Sequence, residues 1–228
     1  MNKSNVLRSK IIPGFFIIAF LLSSCEEKIT DFGFSGNISG KIVDPEGNIV
    51  SGDITVDALT LYIIGEDETE PLRIRVKGDG TYSNTHLYPQ IYRIWIQGPI
   101  ISSNEYTVDL RGTPVIQDFT VTPFLTTPPP VIQGNPSSSE VTVSYNIKEN
   151  EGKIAESRII YVSTVPYPSQ STGSGPGFRT ISQTVNENQG TVTITGLQSG
   201  TTYYVRLTAK AAGTTLWNVS DHVKFVTP

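Results

Sequence analysis

Apolar and polar residues alternate strictly in part of the second half of the chain. Val141, Val143, Tyr145 and Ile147 are each separated from the next by one polar residue. Successive side chains of a strand point to opposite faces, so this period of two predicts a strand with one buried face. A longer apolar run at 158–165 predicts a second strand that is buried on much of both faces.

The first half shows the same alternation with a charged second face. Ile74 and Val76 alternate with Arg73, Arg75 and Lys77. We predict a strand here with one apolar and one basic face.

A nearby segment places an aromatic residue among polar ones. We expect Tyr92, Ile94 and Ile96 to face the core, which directs Trp95 to the opposite side of the strand. Asp44-Pro45-Glu46-Gly47 has the chemistry of a turn, because proline presets φ and glycine accepts the left-handed region. The strands predicted for this half lie at 54–64, 72–77, 91–97 and 115–122.

The composition supports an all-β fold. Val, Ile and Thr together make up 70 residues, against 12 Leu and 6 Ala. β-Branched residues favour strands, whereas Leu and Ala favour helices. The alternation and the composition together predict an all-β protein, and its two strand-rich halves predict two β-sandwiches in tandem.

A proline-rich stretch divides the chain. Three consecutive prolines, Pro128 to Pro130, lack backbone donors and cannot belong to a central strand. We therefore predict a signal peptide at 1–24, a tether at 25–34, a first sandwich at 35–123, a short stiff linker at 124–130 and a second sandwich at 131–228.

The N-terminus has the pattern of a secretory signal. Lys3, Arg8 and Lys10 precede an apolar stretch from Ile11 to Leu22, which is too short to span ~30 Å of hydrocarbon as a helix. The run Leu22-Ser23-Ser24-Cys25 that follows resembles a bacterial lipobox. The resemblance implies cleavage before Cys25 and its acylation, so that lipid holds the mature chain in a membrane. The alternative is an ordinary signal peptide that ends near a free cysteine.

Cleavage makes the protein more acidic. The full chain has 17 Lys+Arg and 21 Asp+Glu, and the signal removes three cations and no acid, which leaves a net charge of −7. An acidic surface argues against nucleic acid as a partner. Glu26-Glu27-Lys28 resembles the export signal of surface lipoproteins in Bacteroidetes, which implies an outer-membrane location facing outward. The alternative reading is a solvated tether.

The order of motifs in the first half resembles a carboxypeptidase regulatory-like, or transthyretin-like, domain. The motifs are a Gly-x-Ile-Val-Asp run at 40–44, Gly80-Thr81-Tyr82 and the segment from Leu87 to Ile94. That resemblance implies a spacer or accessory module without catalytic residues.

In the second half, Leu197, Gly200 and Tyr203 precede an alternating strand and resemble the tyrosine corner of fibronectin type III domains. On this resemblance Tyr203, Val205, Leu207 and Ala209 point into the core. The residues that point outward are Tyr204, Arg206 and Thr208. The last strand is expected at 222–228.

Together the two resemblances imply an all-β chain with immunoglobulin-like or transthyretin-like sandwiches in tandem. The combination resembles a two-domain lipoprotein family of Bacteroidetes, of the kind named as domain of unknown function 3823. Members resemble accessory components of outer-membrane glycan-uptake systems. The resemblance implies a non-enzymatic surface lipoprotein that binds a glycan or assists its capture, with an outer-membrane transporter or glycan-binding lipoproteins as partners. The alternative is a structural spacer that docks on other envelope proteins.

Residues suited to catalysis or metal binding are sparse. The single cysteine excludes a disulfide framework, and neither His86 nor His222 has a neighbouring nucleophile or metal-ligand spacing. Acidic residues gather in turn-like runs such as 66–70, which are typical of solvated loops. We expect no catalytic residues, no metal site and no cofactor.

Aromatic residues are the remaining candidates for ligand contact. Trp95 is suited either to stacking against a sugar or to packing against a neighbouring domain. Trp217 is predicted in the loop between the last two strands, and loops at the ends of sandwiches often carry binding residues. The long loop at 166–178 contributes Tyr167 and Phe178 as further candidates.

Overall fold

The computed structural model describes residues 33–53, 58–112, 114–173 and 175–228. The predicted signal peptide, Cys25 and most of the tether lie outside the described residues. The described residues from Phe34 to Pro228 belong to one compact unit of the chain. All regular secondary structure in the described residues is β-strand, which confirms the all-β prediction.

Eight strands form the first sandwich. They are β1 (Gly36–Val43), β2 (Thr60–Gly65), β3 (Leu72–Arg75), β4 (Thr81–Leu87), β5 (Ile91–Gln97), β6 (Tyr106–Asp109), β7 (Val115–Ile116) and β8 (Phe119–Thr120). One sheet has the order β3-β2-β5-β6, and the other has the order β4-β1-β7, with β8 also paired to β1. The pairs are antiparallel except that β7 and β8 run parallel to β1.

The strand predicted at 91–97 is confirmed as β5, whereas the other three predicted strands of this half differ in their bounds. β2 begins at Thr60 instead of residue 54, and residues 54–57 lie outside the described part. The segment 115–122 is split into β7 and β8, and β3 ends at Arg75. The Asp44 turn forms as predicted, with the Gly47 amide donating to the Asp44 carbonyl at 2.9 Å and Gly47 at φ 84°.

Nine strands form the second sandwich. They are β9 (Leu125–Thr126), β10 (Val131–Gln133), β11 (Glu140–Asn146), β12 (Lys148–Glu149), β13 (Ala155–Ser163), β14 (Ile181–Thr184), β15 (Gln189–Thr195), β16 (Thr202–Ala211) and β17 (Trp217–Val226). A three-stranded sheet, β10-β11-β15, packs against a four-stranded sheet, β14-β13-β16-β17. β9 and β12 form a separate pair.

Each sandwich has its own apolar core. The first is built around Ile38, Leu61 and Ile94, and the second around Val143, Val205 and Leu207. In the second core the Tyr203 ring is buried, and its hydroxyl accepts a hydrogen bond from the Gln198 amide at 3.1 Å. This upstream contact is the geometry that a tyrosine corner requires.

The proline-rich segment is packed more closely than a free spacer. Leu125 is buried in the second core, and Phe124 packs against that core. The Phe124 amide donates to the Pro99 carbonyl at 2.8 Å, which ties the segment to the first sandwich as well. The linker therefore begins as part of the junction between the sandwiches.

A buried arginine joins the two sandwiches. Arg206 on β16 is fully buried, and its Nη1 lies 3.2 Å from Asp53 Oδ2. Its Nη2 donates to the Gly52 carbonyl at 2.6 Å, and its Nε donates to the Ser220 carbonyl at 2.7 Å. One guanidinium therefore binds both sandwiches at once.

A buried amide adds a second bridge. Asn218 Nδ2 donates to the Pro99 carbonyl of the first sandwich at 2.9 Å. Its Oδ1 accepts a hydrogen bond from the Leu125 amide at 3.1 Å. The Asn218 side chain therefore hydrogen-bonds both to the first sandwich and to the first strand of the second sandwich.

The outward face of β16 is partly covered. Arg206 and Thr208 point away from the second core, as predicted, but both are buried, at 0% and 3% exposure. The first sandwich covers Arg206, whereas the Thr208 hydroxyl donates to the Ile159 carbonyl at 3.2 Å. The alternation therefore gives the direction of these side chains but not what covers them.

Replacing Arg206 tests the junction. We expect Arg206→Met to lower the free energy of unfolding by about 3–5 kcal/mol, because Asp53 loses its cation and two buried carbonyls lose a donor. Chemical denaturation measures the change.

The matched control is the exposed ion pair across the same junction. Lys148 Nζ lies 3.3 Å from Glu46 Oε1, with both side chains more than half exposed. Exposed pairs contribute under about 1 kcal/mol, so Lys148→Met should have little effect. Equal effects of the two substitutions would show that Arg206 does not hold the junction.

Candidate functional site

Two aromatic rings stack on the outer side of the β3-β2-β5-β6 sheet. Tyr62 on β2 and Trp95 on β5 are directly paired across the strands. Their ring centroids lie 5.5 Å apart with an interplanar angle of 11°, which is an offset parallel stack. Leu61 and Ile63 point the other way into the core, so the alternation of β2 leaves Tyr62 outside it. We call Tyr62 and Trp95 the aromatic platform.

Polar side chains surround the aromatic platform. Arg73 on the edge strand β3 lies opposite Tyr62 in the strand pairing. In the next row on the same face of the sheet, Thr60 of β2 lies between Arg75 on β3 and Gln97 on β5. Arg73, Arg75 and Gln97 are exposed. The half-buried rings thus offer apolar surface with hydrogen-bond donors beside it.

A cavity of about 420 Å³ lies between the two sandwiches. Residues 52–53 and 77–78 line it from the first sandwich, and Arg206 with parts of the 165–178 loop line it from the second. We call it the junction cavity. Its size falls within the ~300–1,000 Å³ of ordinary ligand pockets, which often occur at domain interfaces.

Tyr167 packs into the junction more than it faces solvent. A Cβ atom on Gly78 would lie 2.1 Å from Tyr167 Cδ1, so only glycine fits beneath the ring. The ring meets His222 edge to face at 4.1 Å, and Arg206 Cζ lies 5.6 Å from its centroid. Tyr167 has φ 55°, an unusual value that this packing holds in place.

Phe178 lies at the junction cavity with 45% of its surface exposed. Its carbonyl accepts a hydrogen bond from Ser163 Oγ at 2.6 Å and another from the Thr164 amide at 3.1 Å. These bonds tie the end of the loop to β13. Phe178 is therefore the exposed aromatic member of this cavity.

His222 is a packing residue in this structure. Its ring lies between Tyr167 and Tyr204, with centroid distances of 4.1 and 5.0 Å. Burial lowers the pKa of His222, the Asp221 carboxylate partly opposes this, and the Arg206 charge lowers the pKa further. The ring is thus neutral at pH 7, and its 3.3 Å approach to Asp221 is not an ion pair.

Trp217 does not lie in a loop as predicted. It is the first residue of β17, paired with Lys210, because the last strand starts five residues earlier than expected. Trp217 is half-buried and lines a void of only about 10 Å³ together with Asp53 and Ser169. This position suits packing at the junction.

The structure thus separates the four predicted aromatic residues. Tyr167 and Phe178 share the junction cavity, Trp95 belongs to the aromatic platform, and Trp217 lies apart from both. Sequence reasoning missed Tyr62, the partner of Trp95. The position could have been found from the alternation of β2, but its pairing with Trp95 depends on strand register.

Groups suited to chemistry are not assembled in the described residues. His86 Nδ1 lies 2.9 Å from the hydroxyl of its neighbour Thr85 and is exposed. Among the residues that the structure describes, no three His, Cys, Asp or Glu side chains are placed to hold a metal ion. The same residues contain no helix with the length and apolar character needed to cross a membrane.

The second sandwich belongs to a known class of domain. Residues 127–225 match the fibronectin type III domain. No curated protein matches the chain in sequence.

Solved structures share the whole two-sandwich arrangement. A DUF3823 family protein from Bacteroides ovatus is similar over 85% of this chain and 100% of its own, with a TM-score of 0.68 and 17% identity. A DUF3823 family protein from Parabacteroides merdae is similar over 83% of this chain and 98% of its own, also with a TM-score of 0.68 and 17% identity. The chain therefore has the fold of the DUF3823 family proteins, which confirms the predicted resemblance at the level of fold.

A third similar structure carries a functional name. It is named a candidate carbohydrate-binding protein from Bacteroides uniformis, with a TM-score of 0.63 and 17% identity. It covers 83% of this chain and 98% of its own length.

Proposed function

We propose that this protein is a non-enzymatic carbohydrate-binding protein and that the aromatic platform is its main contact with the glycan. The observation that carries the proposal is the stacked pair of Tyr62 and Trp95 on the outer side of a sheet. The similar structure named for carbohydrate binding supports the same class of ligand.

The chemistry of the aromatic platform fits a sugar. Pyranose rings have apolar C–H faces and polar hydroxyl edges, and an aromatic ring has an apolar face that can contact the former. Arg73, opposite Tyr62, and Gln97, one row further along the sheet, supply donors for the hydroxyl groups. Packing between the sandwiches, the other use foreseen for Trp95, is served instead by Tyr167 and Arg206.

We further propose that acylated Cys25 anchors the protein in the outer membrane, where it faces outward and assists a glycan-uptake system. The support is the Leu22-Ser23-Ser24-Cys25 motif and the acidic residues that follow it. A transporter and other glycan-binding lipoproteins are the partners that this role implies.

Removing the aromatic platform should abolish glycan binding. We expect Trp95→Ala and Tyr62→Ala each to weaken binding by at least about tenfold, because each loses stacking worth roughly 1–2 kcal/mol. Isothermal titration against a panel of plant, algal and host polysaccharides measures the affinity.

The matched control is Tyr88→Ala. Tyr88 is 50% exposed and contacts Phe34 with the ring centroids 4.6 Å apart and the rings tilted by 45°, so it is a surface aromatic with its own partner. Its loss should leave glycan affinity unchanged. Glycan binding that survives both platform substitutions would reject the aromatic platform as the site.

Substituting Cys25 tests the anchor. Cys25→Ser should abolish incorporation of labelled palmitate and release the protein from the outer-membrane fraction, because the acylated sulfur is lost. Ser24→Ala keeps a small residue before the cleavage point and should remain lipidated. Retention of Cys25→Ser in the membrane fraction would argue for another anchor.

A scaffold role is the second candidate. The observation that favours it is the junction, where Arg206 and Asn218 each bind both sandwiches. A spacer of this kind would bind no glycan in the titration and would be crosslinked to an envelope protein in intact cells.

A further inference from the structure

The solvent side of β3 continues beyond the strand as a line of basic side chains. Arg73, Arg75 and Lys77 are exposed, while Ile74 and Val76 between them are buried. The alternation therefore persists past Arg75, where the regular strand ends. We call Arg73, Arg75 and Lys77 the basic stripe.

The basic stripe connects the two candidate sites. At one end Arg73 is paired with Tyr62 of the aromatic platform. At the other end Lys77 lines the junction cavity with Tyr167 and Phe178. At ~3.3 Å per residue, the four steps from residue 73 to residue 77 span roughly 13 Å. A ligand that touched both sites would be an oligosaccharide, since a single sugar is too short.

The two end charges are available for a ligand. Within the described part of the chain, neither Arg73 nor Lys77 forms an ion pair, whereas Arg93 lies 3.4 Å from Glu105. Asp79 is close to Lys77 but is engaged by Thr81, whose hydroxyl and amide both donate to it. The acidic loop between β2 and β3 is partly engaged too, since Glu68 accepts hydrogen bonds from Gly65 and Gln90.

This concentration of positive charge is unusual for the protein. The chain is acidic overall, with 21 Asp+Glu against 17 Lys+Arg. Guanidinium groups bind planar oxyanions through two parallel hydrogen bonds, and ammonium groups bind them as point charges. A neutral glycan needs an apolar platform and hydrogen-bond donors but no net charge, and the positive charge of the basic stripe adds recognition of negative groups.

We propose that the glycan is an acidic oligosaccharide that carries carboxylate or sulfate groups. One sugar stacks on the aromatic platform, its acidic groups contact the basic stripe, and the chain ends at the junction cavity. This inference rests on the proposed carbohydrate-binding function and names the class of ligand for that site.

A competing explanation is protection of a sheet edge. β3 is an edge strand, and charged side chains on such strands discourage pairing with other molecules. That role would explain the charges of Arg73 and Arg75. It would not explain Lys77, because the backbone amide of Lys77 already donates to the Thr81 carbonyl and its carbonyl accepts from the Gly52 amide, which leaves no open edge to protect.

The test compares charged and uncharged forms of the same glycan. In fully methyl-esterified oligogalacturonate each carboxylate is replaced by a neutral methyl ester on the same sugar backbone, and desulfated carrageenan oligosaccharides lack only the sulfate groups. We expect wild-type protein to bind at least one acidic form ~10-fold or more tightly than its neutral counterpart. That preference should shrink between 50 and 200 mM salt, because screening weakens exposed charge pairs.

Substitutions of basic side chains test whether the basic stripe causes the preference for acidic glycans. The double substitution Arg73→Gln with Lys77→Gln should reduce acidic binding ~10-fold or more. Lys77→Gln alone removes a charge away from the aromatic platform, so it should weaken acidic binding and leave neutral binding unchanged. Lys41→Gln with Lys224→Gln removes two exposed charges elsewhere, on β1 and β17, and should have no effect. Thermal unfolding confirms that both doubles are folded.

The outcomes are distinguishable. Equal, salt-insensitive binding of acidic and neutral chains overturns the acidic-ligand proposal and leaves the aromatic platform standing. No binding of any of these chains, or of the wider panel, overturns both proposals. Unchanged acidic binding by the Arg73/Lys77 double, together with new self-association in size-exclusion chromatography, assigns the basic stripe to edge protection.

Discussion

The arrangement of the two sandwiches depends on the buried guanidinium of Arg206. A buried charge is costly unless every polar group around it is satisfied, and here three donors meet Asp53, Gly52 and Ser220. Burial lowers the pKa of Arg206, while the Asp53 carboxylate opposes that shift, and the side chain stays charged because its ordinary pKa is so high. Any rotation of one sandwich that kept Arg206 buried would break at least one of these bonds.

The guanidinium contributes geometry more than net stability. Removing two charges from water costs about as much as their attraction returns, so buried ion pairs are weak sources of stability. The free energy comes from the two apolar cores and from the contacts of Phe124 and Leu125 at the junction. Arg206 and Asn218 select one relative orientation among those that apolar contact alone would allow.

That orientation has a functional consequence. Lys77 and Gly78 belong to the first sandwich, while Tyr167 and Phe178 belong to the second, yet all four line one cavity. The junction cavity exists only because the sandwiches are held together. The aromatic platform, by contrast, is built within a single sheet and needs no second domain.

Much of the fold could be predicted from alternation. The inward residues of β5 and β16 are those that the period of two selected, including Tyr92 and Val205. What alternation cannot tell is what covers the other face. Arg206 points outward from its own core, as the alternation predicts, but another sandwich lies over it.

The candidate site residues were predicted only in part, for a similar reason. The long loop at 166–178 was recognisable from its length and glycine content, and it does line a cavity. The stack of Tyr62 on Trp95 could not be seen, because register between β2 and β5 is set by long-range pairing. Trp217 was misplaced because β17 begins before its alternation becomes clear.

The most direct measurement uses the two tryptophans of the chain as internal reporters. A protein labelled with ¹⁵N gives one indole N–H resonance from Trp95 and one from Trp217, and Trp95→Phe assigns them. Titration with a glycan that binds should change the chemical shift of the Trp95 resonance. The chemical shift of Trp217, which is packed at the junction, should not change. Saturable binding that moves only the Trp217 resonance, or neither, would contradict glycan binding at the aromatic platform.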